Sequence, residues 1–252
     1  MNNNSGITIN IIWSRHSLSC GNLSSAMKSY KMIQGEDKTK DPSLTLDGIK
    51  RTSDCCDEIK AAIKKRGLEL DIIASSQLLR AMETGLTIFE DEIINDKWQL
   101  NVLPYISESG IGHPHNQPID RNIQKNIIRN TQSYKQFDLT SEQPDLLWQF
   151  KEEICDTTSH YSKFLDWVIE NIVLKDNLTI FIVSHGNFIA DEVLRTTYIL
   201  DNNETALVRY LVTNVNGRTK LIQKDYEWLY KCPIETEAQF IQRISCDVCS
   251  EL

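Results

Sequence analysis

The chain has 252 residues, 40% of them hydrophobic and 25% charged, which is enough apolar material for one substantial core. Its formal net charge of -8 repels nucleic acid and anionic lipid at long range, yet leaves room for a local positive pocket around a small anion. No apolar run approaches the roughly 18–20 residues that span a bilayer, so neither a nucleic-acid nor a membrane partner is expected.

The polar, Asn-rich start, Met1 to Asn10, lacks the basic and apolar regions of a secretion signal, and a cytoplasmic location is expected. Ile7 to Trp13 is rich in β-branched residues and reads as a first strand. Leu44 to Gly67 opens on a Thr45 or Asp47 cap and continues with Ile49, Cys56, Ile59 and Ile63 at helical spacing. It closes with Lys64, Lys65 and Arg66 before Gly67, a helix C-terminus. Leu70 to Ala74 reads as a strand, Gln77 to Phe89 as a helix, and Trp98 to Leu103 as a strand closed by Pro104.

His113 to Glu152 is polar and carries Pro114, Pro118 and Pro144. It reads as an inserted lid, with short helices near Ile123 and Trp148. Thr157 to Leu174 sets Tyr161, Phe164, Leu165, Val168 and Ile172 along one helical face. Leu178 to Ser184 is the clearest buried strand, and Asn187 to Leu200 reads as a helix. Ala206 to Thr213 and Thr219 to Lys224 flank Asn216-Gly217, a dipeptide suited to a tight hairpin.

Strands alternating with helices imply a three-layer α/β fold: a mainly parallel sheet with helices on both faces, closed by a C-terminal strand hairpin. Residues 1–252 are expected as a single domain with the 113–152 insertion. The seven cysteines, an odd number in a chain that needs no staples, are expected as reduced thiols. Cys246 and Cys249 form a CxxC without a second pair at zinc-like spacing, so no metal site is expected.

In such sheets ligands bind beyond the carboxyl ends of the strands. Three strand-to-helix junctions carry unusual residues there: Arg15-His16, Ser75-Ser76 with Arg80, and Ser184-His185-Gly186. Singly, each has an ordinary explanation, a satisfied strand-end histidine or a surface arginine. Arg80 is harder to dismiss, because a cation near a helix N-terminus opposes the macrodipole by roughly 0.3–1 kcal/mol unless an anion offsets it. Together, two histidines and two arginines suit phosphoryl transfer, in which charge on the equatorial oxygens must be neutralised. Arg15 and Arg80 offer planar forks for phosphate oxygens, His16 a nucleophilic ring nitrogen, and His185 a donor to a nonbridging oxygen. Glu108, in Ile106-Ser107-Glu108 after Pro104, is the candidate acid for the leaving oxygen, with His113 and His115 as rivals.

These segments resemble the histidine phosphatase superfamily, also called phosphoglycerate mutase-like. Arg15-His16-Ser17-Leu18-Ser19-Cys20-Gly21-Asn22 is similar to its RHGxSxxN signature, and Asp41 to Gly48 to its DxxLTxxG segment. Ser75 to Thr84 follows its SSxLxRAxxT pattern and Val183-Ser184-His185-Gly186 its VSHG. The resemblance implies a Rossmann-like sheet, a phosphohistidine on His16, and a phosphate pocket of Arg15, Arg80 and His185 with Asn22 as a further contact. It implies Glu108 as acid and base, no cofactor, and a small phosphorylated substrate. A phosphomonoester hydrolase is favoured; the alternatives are a phosphoglycerate mutase-type phosphotransferase and a catalytically silent phospholigand-binding module. Ser17 stands where the family pattern has Gly, and a left-handed backbone or a close phosphate approach there would cost a serine some activity.

Overall fold

The computed structural model describes residues 6–29, 39–95, 98–108, 113–130, 148–150, 161–233, 235 and 237–246. Among the described residues, seven strands form one sheet in the order β4-β3-β2-β5-β1-β6-β7. They are β1 (Thr8–Arg15), β2 (Ile72–Ser76), β3 (Leu100–Leu103), β4 (Trp148–Phe150), β5 (Leu178–Ser184), β6 (Thr205–Val215) and β7 (Arg218–Tyr230). The strands from β4 to β1 pair in parallel, whereas β6 and β7 add antiparallel. All seven residues of β5 are buried, as a central strand covered on both faces requires.

The pleat divides the core. Ile12, Phe181 and Val183 pack on one face, against the helices α2 (Leu46–Lys65), α3 (Leu79–Ile88) and α4 (Glu90–Asn95). Ile11, Trp13, Ile180 and Ile182 point to the other, under α6 (Tyr161–Asn171) and the helical turn after β5. Trp13 meets Phe164 edge-on, with ring centroids 5.2 Å apart.

α2 starts where its cap predicts: Thr45 Oγ1 accepts the Gly48 N–H at 2.9 Å. Its buried stripe is Gly48, Thr52, Cys55, Ile59 and Ile63, so Cys55 faces the core where the spacing had suggested Cys56. Gly48 touches the first strand's exit loop: a Cβ there would lie 2.2 Å from the Leu18 carbonyl oxygen. Gly48→Ala is therefore expected to lower stability by about 1–3 kcal/mol, the usual penalty of overpacking, read from its urea unfolding midpoint.

Several expectations are corrected. Trp148 lies in β4, an edge strand beside β3, not in a helix, because its segment finds open backbone donors and acceptors on β3. Near Ile123 the expected helix exists as α5 (Arg121–Asn130); residues 131–147 and 151–160 of the expected lid and its following helix lie outside the described residues. The helix expected over 187–200 is short: α7 (Gly186–Phe188) continues as a π-helical turn, Ile189–Leu194, ended by left-handed Arg195. The hairpin strands run longer than expected, and Asn216 and Gly217 take φ of 53° and 76°, as a two-residue turn demands.

Among the described residues, three helices lie outside the expected elements: α4, and α1 (Cys20–Ser29) and α8 (Glu237–Cys246), which pack on each other. α1 carries Ser24, Ser25 and Ser29, with Gly21 and Asn22 in its first turn, and has little apolar periodicity, so tertiary contact rather than propensity holds it. Cys20 is disulfide-bonded, which corrects the expectation of reduced thiols throughout; Cys55, Cys56 and Cys232 are free. Counting cysteines cannot reveal which pair the fold brings within bonding distance. Among the described residues no helix is long and apolar enough to cross a membrane.

Candidate active site

Parallel pairing brings the three junctions to one sheet edge. Arg15 is in register with Ser184, and the His16 N–H donates to the Ser184 carbonyl at 2.9 Å. The chains leaving β1 and β5 thus present His16 and His185 as neighbours, with ring centroids 5.0 Å apart. β2 lies on the far side of β5 and feeds α3, whose first turn carries Arg80.

The hydrogen bonds assign the His16 tautomer. Nδ1 lies 2.7 Å from the Ser17 carbonyl, which can only accept, so Nδ1 bears the proton. Nε2 accepts from Arg80 Nε at 3.2 Å and therefore carries the lone pair. Burial, then Arg80 and Arg15, hold this imidazole well below its usual pKa, so the ring is neutral.

Arg80 is buried, and its fork reaches three partners. Besides His16, Nη1 donates to the His115 carbonyl at 2.7 Å and Nη2 to Asn116 Oδ1 at 3.1 Å. Arg15 donates through Nη1 to the Leu200 carbonyl, while its buried Nε has no protein partner among the described residues. Gly186 gives this guanidinium room, since a Cβ there would sit 3.1 Å from Arg15 Nε. His185 bonds Ser76 Oγ through Nε2 at 2.8 Å, and its buried Nδ1 likewise has no protein partner. Burial, followed by Arg80, His16 and Arg15, lowers its pKa well below the usual value.

A cavity of about 200 Å³ opens on this cluster, lined among others by His16, Asn22, Arg80, Glu108, His115 and Asn187. Arg15 and His185 do not line it; they are enclosed beside His16. Glu108 Oε1 accepts the Phe188 N–H at 3.3 Å, which ties the carboxylate to the turn after His185. Asn22 Oδ1 accepts from Ser19 N and Ser19 Oγ, so the amide nitrogen is the end left for an anion. His113 also lines the cavity, with its ring 4.6 Å from that of His115. A larger cavity of about 520 Å³ lies between α2 and the end of β7, but its Arg51 is already paired with Asp47 and Glu235. Size does not locate the chemistry; convergent donors do.

Ser17 does not adopt a positive φ. Its hydroxyl donates to the Gly48 carbonyl at 2.7 Å and accepts from Asn203 Nδ2 at 3.0 Å, and its N–H donates to Thr84 Oγ1. The concern over a left-handed backbone is thereby corrected: the serine ties the His16 loop to α2 and to the turn at residues 202–203. Asn202 Nδ2 adds a bond to the His16 carbonyl at 2.8 Å.

Two buried carboxylates brace the site, and sequence reading gave neither a role. Asp41 Oδ1 accepts the Leu79 N–H at the start of α3, while Oδ2 accepts from Gln124 Nε2 of α5 at 2.6 Å and from the Ile119 N–H. Glu83 returns the link, accepting the Leu44 N–H at 2.7 Å. The signal in the sequence was their place in the motifs: Asp41 opens the DxxLTxxG-like segment and Glu83 lies within the SSxLxRAxxT-like one. Burial raises Asp41 to about 6 and Glu83 to about 8. Both folded-state values exceed the unfolded ones, so these groups favour folding most at acid pH and lose that contribution as pH rises towards 8. Glu83→Gln keeps an acceptor for Leu44 and removes the titration. Its urea midpoint should fall less between pH 6 and pH 9 than that of the parent protein.

No family model matches the chain, and no curated protein does. Solved structures do resemble it. The ecdysone phosphate phosphatase of Bombix mori, in complex with tungstate, superposes with a TM-score of 0.53 at 12% identity, over 90% of this chain and 95% of that one. Mycobacterial hydrolase 2 gives 0.50 at 11% identity, over 94% and 97%. The phosphoserine phosphatase of Entamoeba histolytica, bound to 3-phosphoglyceric acid, gives 0.43 at 21% identity, over 86% and 96%. What the first two likenesses establish is the fold, the phosphoglycerate mutase-like α/β architecture expected from the motifs.

Proposed function

We propose that this chain, which has the fold of the histidine phosphatase superfamily, hydrolyses phosphomonoesters through a phosphoryl intermediate on His16. The observation that carries the reading is the His16 ring itself: neutral, its Nδ1 proton given to Ser17, its Nε2 lone pair held beside two guanidinium groups. That is the state a nitrogen nucleophile needs.

In the first step Nε2 forms a bond to phosphorus while the bond to the leaving oxygen breaks. Glu108, facing the same cavity, gives that oxygen its proton. Arg15 and Arg80 neutralise the nonbridging oxygens and His185 donates a hydrogen bond to one of them, Arg15 Nε and His185 Nδ1 having no protein partner among the described residues. Asn22 adds its amide. In the second step water attacks phosphorus, its proton passes to Glu108, and the P–N bond breaks to restore His16. The two guanidinium groups supply the positive charge, so the mechanism calls for no metal and no organic cofactor. A small phosphorylated molecule is the substrate class that fits.

The test is chemical. A phosphoryl group on imidazole is acid-labile and alkali-stable, unlike one on serine. Rapid quenching with a labelled aryl phosphate should trap such an adduct at a level matching the active-site concentration. Turnover that proceeds without the adduct would reject the covalent route.

A further inference from the structure

His185 raises a question that the phosphate pocket alone does not answer. A neutral imidazole has one proton and two nitrogens, so it donates to an oxyanion from one nitrogen only when the proton resides there. Both Arg80 and Arg15 act with burial to keep this ring neutral, so the tautomer decides whether His185 attracts or repels a phosphoryl oxygen. Nε2 lies 2.8 Å from Ser76 Oγ, and Nδ1 is the nitrogen left without a protein partner.

We propose that Ser76 is a positioning residue that sets the His185 tautomer, donating its hydroxyl proton to Nε2 and thereby holding the ring proton on Nδ1. This rests on the phosphatase reading for its purpose, but not for its geometry. Ser76 is the last residue of β2, fully buried, and its side chain cannot turn to solvent. Its oxygen receives the Leu78 N–H at 3.4 Å, at the entry to α3, so one of its acceptor positions is used by the backbone. The hydroxyl proton then has the His185 Nε2 lone pair as its partner at 2.8 Å. The reverse arrangement would leave Nδ1 with a lone pair and no proton to give an anion. On the backbone side, the His185 carbonyl accepts the Ile189 N–H at 2.9 Å, and β5 fixes the residue before it. The ring therefore depends on Ser76 for its side-chain anchor. The same residue links two elements of the site: β2 delivers Ser76 to His185 and, four residues on, Arg80 to His16.

The experiment reads the tautomer directly. Protein labelled with nitrogen-15 in its histidines is examined by NMR with and without inorganic phosphate, in the parent chain and in Ser76→Ala and Ser76→Thr, with His185→Gln used to assign the signals. In parallel, kcat and KM are measured for an aryl phosphate. The parent and Ser76→Thr should show His185 protonated on Nδ1 and bare on Nε2 when phosphate is bound. Ser76→Ala should show the proton redistributed to Nε2, with kcat lowered by up to about 10²-fold, the scale of losing one oxyanion donor. Threonine should restore most of it. An Nε2-protonated His185 in the parent chain, or an unchanged tautomer in Ser76→Ala, would overturn the proposal. The expected tautomer pattern in a protein that turns over no phosphate ester would uphold the role of Ser76 while rejecting the phosphatase reading.

Discussion

His16→Ala is expected to abolish the trapped phosphoryl adduct and to lower kcat by about 10⁴–10⁶-fold, the range seen when a nucleophile that acts in concert with its neighbours is removed. The prediction is sharpened by what should survive. Arg15 ends β1, Arg80 lies in the first turn of α3 and His185 follows β5, and each keeps a bond that does not involve the His16 ring, although Arg80 Nε loses its acceptor there. Inorganic phosphate should therefore still raise the melting temperature of His16→Ala. Loss of activity together with loss of phosphate stabilisation would point instead to a collapsed site. Retained activity with no adduct would remove His16 from the chemistry altogether.

Arg80→Gln should cost about 10³-fold in kcat/KM, the lower end of what a charge-stabilising arginine contributes to phosphoryl transfer. Glutamine cannot span the partners of the guanidinium, which reaches His16 Nε2, the His115 carbonyl and Asn116 Oδ1 at once. It also removes a positive charge that lowers the pKa of both His16 and His185, second only to burial. Taking away a neighbouring cation lets each imidazole hold its proton to higher pH. The attacking form of His16 is the unprotonated one. The acid limb of the residual pH–rate profile should accordingly move to higher pH in Arg80→Gln than in the parent. An unmoved limb would show that His16 does not titrate under the control of Arg80.

The arginine also bears on the segment above the site. Arg80 and Asp41 both hold residues from 113 to 124, Arg80 through His115 and Asn116, Asp41 through Ile119 and Gln124. An anion that draws the Arg80 fork towards itself competes with the first pair of bonds and leaves the second untouched. His115 and Asn116 are thus expected to shift when an anion binds, while Ile119 and Gln124 stay tied through Asp41 to the start of α3.

The residues themselves determined most of the alternation of strands and helices and the sheet edge at which His16, His185, Arg15 and Arg80 meet. β-Branched runs such as Leu178 to Ser184 can be buried only as central strands, and a cap such as Thr45 announces its helix wherever the chain goes. The four short motifs likewise announced which side chains to watch, because imidazole and guanidinium at strand ends have few other uses in combination. Local pattern did not reach further. It missed α1, a Ser-rich helix that α8 and the 41–45 segment meet, and it put a helix at Trp148 where an open strand edge accepts a strand. It could not see that Ser17 ties α2 to residue 203, that Asp41 joins two helices, or that Ser76 meets His185 across 109 positions of sequence. Those partners are decided by which donors and acceptors are buried together, and a buried polar group must find its partner in space rather than along the chain.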